Sequence, residues 1–248
     1  MHTKDEIIGA LASYAPLELA DPSDNCGLQV DGKDEVSSVS LILDPSLDAL
    51  KRCGGDFIFS HHPLFFLPIK RIDGPLAKKL GQLLGRQQTL YSLHTCLDFA
   101  PRGVSWRLMD ILGLEEVKGE STPQLRIATS GCESIDELSA HVACTLGTKR
   151  LKVVDSGNAI GKIGLIPGSG FGPSTIEWCA SNGISVLISG DLKYHQAMQA
   201  QDLGISLIDA GHRETEYPVL KTVGEYLENS FEGLSYEIVA PELPWDFI

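Results

Sequence analysis

Seven histidines occur in the 248 residues, and four of them fall in three short segments rich in metal-ligating side chains. These are Ser60-His61-His62-Pro63, His94-Thr95-Cys96-Leu97-Asp98 and His212-Arg213-Glu214-Thr215-Glu216. Imidazole nitrogen with carboxylate oxygen suits several divalent ions, zinc, iron, manganese and nickel among them. Adjacent residues on a regular strand point to opposite faces, so His61 and His62 serve one site only if the strand has already ended. Pro63 supports this, because it biases His62 towards an extended or turn conformation. Two neighbouring imidazoles leaving a strand end can each take a different ion, which points to two metals. Asp98 and Glu216 supply charge, and either carboxylate can bridge two ions. Five protein ligands are few for two ions unless a carboxylate bridges and water completes the shells. Open positions of that kind mark a catalytic rather than a structural site.

Each segment follows a run that reads as a buried strand: Phe57-Ile58-Phe59, Leu90-Tyr91-Ser92-Leu93 and Ser206-Leu207-Ile208. In open α/β sheets, ligands gather at the carboxyl ends of strands. Apolar periodicity predicts helices over 4–14, 47–52, 75–84, 104–112, 135–146, 174–180, 194–202 and 219–231. Between them it predicts strands over 37–43, 57–59, 90–93, 125–128, 151–154, 163–166, 186–188, 205–208 and 236–239. Ser46 is the expected N-cap of the second helix. The β-α-β order implies right-handed crossovers and parallel pairs. The fold class is therefore α/β.

The polar stretch Glu115 to Pro123 is the best candidate boundary and divides the chain into 1–114 and 115–248. The two halves can be laid over each other. In the first, a strand, a helix, a glycine and a strand end in Ser60-His61-His62. In the second, the same order ends in Ser189-Gly190-Asp191. Each half then continues to a His-x-x-x-acid segment, His94 with Asp98 and His212 with Glu216. A duplicated unit whose strand ends converge would put both segments at one cleft. A generic β-α-β alternation gives the same pattern by coincidence.

Other candidates have plainer readings. Thr215 is the expected N-cap before the last helix, which leaves His212 on a loop. His141 lies mid-helix between apolar neighbours and is read as structural, and His2 is terminal. His195 follows the strand end at Ser189-Gly190-Asp191, and reads equally as a surface histidine or a proton-transfer group. Gly168-Ser169-Gly170-Phe171-Gly172 lacks the lysine of a P-loop, and a tight glycine turn fits it better than a phosphate cradle. The apolar stretch Leu64-Phe65-Phe66-Leu67-Pro68 either covers a site or interface or is buried under a neighbouring element.

Composition narrows the function classes. A net charge of −13 argues against general binding to nucleic acid. No apolar run approaches the roughly 20 residues that span a bilayer, and the first residues lack a signal-peptide pattern. A cytoplasmic protein without membrane association is expected. None of the six cysteines forms a C-x-x-C pair. They read as small buried side chains, with Cys96 set apart by its place in a metal segment.

Together the histidine segments, Gly190-Asp191-Leu192-Lys193-Tyr194-His195 and Asp24-Asn25-Cys26-Gly27-Leu28-Gln29-Val30 resemble the YbgI-type dinuclear-metal proteins. These NGG-interacting-factor-like proteins are often labelled GTP cyclohydrolase I type 2 homologues. The resemblance runs from about residue 4 to residue 243. It implies two similar intertwined α/β/α domains, a dinuclear metal centre and a toroidal homohexamer. By resemblance His61, His62, Asp98, His212 and Glu216 are the ligands of two divalent ions, with Glu216 as the bridge. His94 and Tyr194 are then candidates for substrate contact, and His195 for the catalytic proton donor. Two positions depart from the family pattern: Ser23 replaces the usual aromatic residue before Asp24, and Cys96 stands where asparagine or another small residue is frequent. The chain has no room for the domain that longer members insert between the halves. The family label leaves the reaction open. Metal-dependent hydrolysis of a small anionic, nucleotide-like or phosphoester substrate is the leading expectation, against a non-enzymatic metal-binding scaffold or regulatory protein.

Overall fold

The run Phe57–Ser60 is buried at every position, as a central strand covered on both faces must be. In the computed structural model, which describes residues 1–241 and 243–245, it is the middle of a five-stranded sheet. The order is Ser235–Ile238, Ser38–Ile42, Phe57–Ser60, Thr89–Ser92 and Gly27–Val30. The first four strands are parallel and Gly27–Val30 is antiparallel. One face packs Ile42, Ile58 and Leu90 against Leu50 of the helix Leu47–Arg52 and Leu80 and Leu83 of the helix Gly74–Gly85. Each such aliphatic side chain contributes about 1.5–3 kcal/mol by leaving water. Ser46 caps the first of these helices by accepting from the Ala49 N–H, as expected.

The second sheet has six strands, in the order Glu115–Glu116, Arg126–Thr129, Lys162–Leu165, Ile184–Ser189, Ser206–Asp209 and Lys152–Val154. Lys162–Leu165, Ile184–Ser189 and Ser206–Asp209 run parallel, and their neighbours at both sides run antiparallel. A four-strand arrangement thus recurs. In each sheet three consecutive strands are parallel, and the third pairs with an antiparallel strand from earlier in the chain. That strand is Gly27–Val30 in one case and Lys152–Val154 in the other.

The chain divides into two compact units, Met1–Ala100 with Leu220–Ile248, and Pro101–Val219. This differs from the expected division after residue 114, for two physical reasons. The helix Val104–Ile111 places Leu108 and Met109 in the core formed by Ala128, Leu138, Ile163 and Ile188, so the second unit begins before the polar stretch. The strand Ser235–Ile238 then adds to Ser38–Ile42, with Tyr236 opposite Val39, so the end of the chain completes the first unit. Among the described residues, no helix is long and apolar enough to cross a membrane.

Candidate functional site

In the first unit, His61 and His62 leave the strand Phe57–Ser60 with their N–H groups still donating to Ile42 and Leu43 carbonyls, at 3.1 and 2.9 Å. Their rings nevertheless lie 4.9 Å apart. The alternation of a regular strand has ended at Ser60, as Pro63 leads one to expect. His94 precedes the short helix Thr95–Phe99, and its ring is 5.3 Å from each of the other two. Ligand atoms of His61, His62 and His94 all fall within 4.8 Å of one another. Asp98, one helical turn beyond His94, brings Oδ1 to 3.6 Å from His61 Nε2.

What orients these rings is held outside the cluster. His61 donates its Nδ1–H to the Leu93 carbonyl at 3.0 Å. His62 Nδ1 bonds Asp44 Oδ1 at 2.8 Å, and His94 Nδ1 bonds both oxygens of Asp24 at 3.0 and 3.1 Å. With a carbonyl or carboxylate at Nδ1, each ring carries its proton there and presents the Nε2 lone pair, the arrangement of a metal-ligating histidine. Asp24 also accepts from the Thr95 N–H and hydroxyl. Burial would raise its pKa, but the bonds from Thr95 and His94 outweigh that and hold its carboxyl below the usual carboxylate range. Burial depresses the pKa of His94, helped by His61 and opposed by Asp24, so His94 enters neutral pH as the free base that a metal requires.

In the second unit, His212 opens the helix His212–Glu216, whose N-cap is Gly211. This corrects the expectation that Thr215 caps the helix and leaves His212 on a loop. Thr215 is occupied within the turn, donating to the Gly211 and His212 carbonyls and accepting from the Gly168 N–H at 2.9 Å. The i,i+4 spacing is therefore genuine helix spacing, and His212 Nε2 lies 3.1 Å from Glu216 Oε2. His212 Nδ1 bonds Asp191 Oδ2 at 2.8 Å. The hydrogen bond to Glu216 raises the His212 pKa to about 9; burial opposes it and Asp191 adds to it.

Gly168 closes against this pair. It has φ +68°, and a Cβ there would collide with Glu216 Oε1. The glycine-rich stretch is thus a tight turn, as expected, and its first glycine leaves room for the carboxylate. Gly190 follows the strand Ile184–Ser189 directly, as His61 follows Phe57–Ser60. A Cβ on it would lie 2.5 Å from the His212 N and 2.7 Å from the Gly168 carbonyl.

The remaining candidates lie apart from these contacts or explain themselves. Tyr194 and His195 begin the exposed first turn of the helix Tyr194–Leu203, with ring centroids 5.3 Å apart. His141 bonds the Leu112 carbonyl at 2.7 Å, a structural role, and His2 bonds the Glu232 carbonyl at 3.0 Å. Cys96 is fully buried; its hydrogen bond with Cys26, together with burial, pushes its thiol pKa up, so it stays protonated and neutral. The residues that sequence reasoning passed over are Asp44 and Asp191, as well as Asp24 in its holding role. Asp44 and Asp191 each follow a strand, Ser38–Ile42 and Ile184–Ser189, and that position was the signal available for them.

A family model described as Duf34/NIF3 (NGG1p interacting factor 3) matches residues 2–243. The chain belongs to the Duf34/NIF3 family. Among its relatives is a Methanocaldococcus jannaschii protein named GTP cyclohydrolase 1 type 2 homolog, 34% identical over 92% of this chain and 95% of the relative. A Helicobacter pylori protein named GTP cyclohydrolase 1 type 2 is 31% identical over 90% and 91% of the two chains. Of solved Duf34/NIF3-like structures, reduced HcgD from Methanocaldococcus jannaschii superposes with a TM-score of 0.85 at 32% identity, covering 96% of this chain and 97% of that one. The ybgI protein superposes with a TM-score of 0.88 at 24% identity, over 98% and 100%, a likeness of fold. The α/β fold expected from the sequence is that of these proteins, and the histidine and carboxylate groups are of a kind that can hold a metal ion.

Proposed function

We propose that this protein is a metal-dependent hydrolase acting on a small anionic substrate, a phosphoester or nucleotide-like molecule. Two divalent ions would be held by His61, His62, Asp98, His212 and Glu216, with Glu216 as the carboxylate that would serve both. The observation that carries this reading is the tethering of Nδ1 on His61, His62, His94 and His212 by Leu93, Asp44, Asp24 and Asp191. With Nδ1 engaged, His61, His62 and His94 present Nε2, and His212 offers its Nε2 once a metal displaces the proton it shares with Glu216; with the two carboxylates, that donor set fits divalent zinc, iron, manganese or nickel. Two bound ions supply Lewis-acid activation of water and stabilise charge on the attacking and leaving oxygens.

The chain's own residues do the rest. Asp24, Asp44 and Asp191 fix the donor rings, and Gly168 leaves space for Glu216. His94 contributes a neutral imidazole beside His61 and His62, as a substrate contact or a further ligand. Tyr194 is the second candidate for substrate contact. His195 is the candidate proton donor to the leaving group. In a chain of charge −13, the bound ions are the main attraction for an anion. The names of the relatives make a purine nucleotide one member of the substrate class to test. We also propose a homohexamer, with the apolar loop Leu64-Phe65-Phe66-Leu67 as the candidate contact through its exposed Leu67. A solution mass near 26.8 kDa, that of one chain, would count against any oligomer.

Elemental analysis of protein purified without chelator tests the centre. About two equivalents per chain are expected on this ligand set, fewer in Glu216→Gln. Retention of both ions after joint replacement of His61, His62 and Glu216 sinks the assignment. A panel of phosphoesters, nucleotides and amides given to metal-loaded protein tests the chemistry. If none is turned over, the protein is a metal-binding scaffold instead.

A further inference from the structure

The loop after His62 splits into a buried and an exposed part. Leu64 and Phe65 pack against the core of Val30, Ile42, Leu50 and Ile58. The Asn25 amide donates to the Phe65 carbonyl at 2.7 Å, and the Phe65 N–H donates to Gln29 Oε1 at 3.3 Å. Two side chains of the Asp24–Val30 segment therefore fix the backbone at Phe65. The next residue, Phe66, is left 53% exposed. Its ring centroid lies 5.6 Å from that of His94, at an interplanar angle of 88°, and 6.5 Å from that of His62. A large apolar ring kept half in water beside two candidate ligands, next to a backbone fixed at Phe65, is poorly explained by packing alone. Its position is that of a wall beside the histidine cluster.

We propose that Phe66 is a specificity-determining wall of this site, binding a planar apolar or heteroaromatic group attached to the anionic part of the ligand. The inference rests on the metal-dependent reading of the same site, and assigns the substrate class as phosphoesters of planar ring-bearing groups. Phenylalanine selects such a group by stacking or edge contact, with no hydrogen-bond demand on the ring. On the histidine side, an ion held by the cluster would engage the anion. Asn25 and Gln29 act as positioning residues by holding Phe65.

The test is titration calorimetry on metal-loaded protein with phenyl phosphate and with inorganic phosphate. Wild type should bind phenyl phosphate more tightly, by about 2- to 10-fold from the aromatic contact. Phe66→Ala should erase that preference, leave inorganic phosphate affinity unchanged and keep full metal content. Phe66→Trp should preserve the preference, and Asn25→Ala should reduce it. Equal affinity of wild type for the two ligands, binding of neither, or an unchanged preference in Phe66→Ala overturns the proposal. Preferential binding of phenyl phosphate without hydrolysis overturns the hydrolase reading and leaves the wall in place.

Discussion

His212 Nδ1 meets Asp191 Oδ2 at 2.8 Å, and Asp191 reaches it from a left-handed backbone conformation with φ 60°. Such a conformation is uncommon for a residue with a side chain, and aspartate is among those that tolerate it. The turn aims the carboxylate at the imidazole. Asp191→Ala should weaken metal binding at this cluster by about 10- to 100-fold, the usual effect of removing a ligand's outer partner. Competition against a chelator of known affinity measures this, and an unchanged affinity would remove Asp191 from the site.

Protonation of His212 gives metal uptake a pH dependence. Its pKa is raised to about 9, so at pH 7.5 the ring is protonated and a metal must displace that proton. Calorimetry in buffers of different ionisation enthalpy should detect a His212-dependent proton release at pH 7.5 that fades above about pH 9 and is absent in His212→Ala. The metal-free protein should respond in the same window. The folded-state pKa lies above the ordinary value of 6.5, so this stabilisation is complete below about 6.5 and lost as pH rises through about 9. Proton release that is the same in His212→Ala would contradict the assignment.

Asp24 joins His94, Thr95 and the Cys26 thiol, the last donating to Oδ2 at 3.2 Å. Asp24→Ala leaves those groups without their acceptor and should destabilise the fold by about 1–3 kcal/mol. Metal affinity should fall as well. Asp24→Asn, which keeps one acceptor oxygen, should recover part of both. Urea unfolding followed alongside metal titration separates the two effects, and a variant that loses neither would show Asp24 to be dispensable.

Gly168→Ala meets two obstacles at once, a left-handed φ of +68° and the Glu216 carboxylate. The backbone alone costs about 1–2 kcal/mol. A drop in melting temperature of about 4 °C or more is expected, together with loss of bound metal. Wild-type melting with full metal content would show that the turn gives way more easily than its contacts imply.

His195→Ala tests the remaining catalytic assignment. Turnover should fall by about 10²–10⁴, the range for a general acid or base, while both ions stay bound. Metal loss would make His195 a ligand or its support, and unchanged turnover would exclude it from the chemistry.

The elements of the fold were legible where their cues are local. Phe57-Ile58-Phe59 is apolar throughout, and the helix Ile135–Leu146 has helical apolar spacing between Ser134 and Gly147. The candidate donors His61, His62, Asp98, His212 and Glu216 stood out by type. Their holders did not, because an aspartate in a loop is ordinary until the fold shows what it faces. Asp44 and Asp191 became visible only through the 2.8 Å contacts they make. Thr215 misled for a local reason: a threonine before a helix is a good cap, but here its hydroxyl is engaged by the Gly168 turn, 47 residues away in sequence. The division of the chain was hidden for the opposite reason, since nothing near residue 235 announces a pairing with residue 38.

That pairing has a consequence for how the chain is made. Pro101–Val219 is one continuous stretch, so all of its residues are made before the strand Ser235–Ile238. The first unit is different, because Ser235–Ile238 is made long after Ser38–Ile42, the strand it pairs with. Until then the edge of Ser38–Ile42 is open to any passing strand, which is the condition under which nascent chains aggregate. A chain cut short after Val219 should thus carry a protease-resistant middle and a protease-sensitive start.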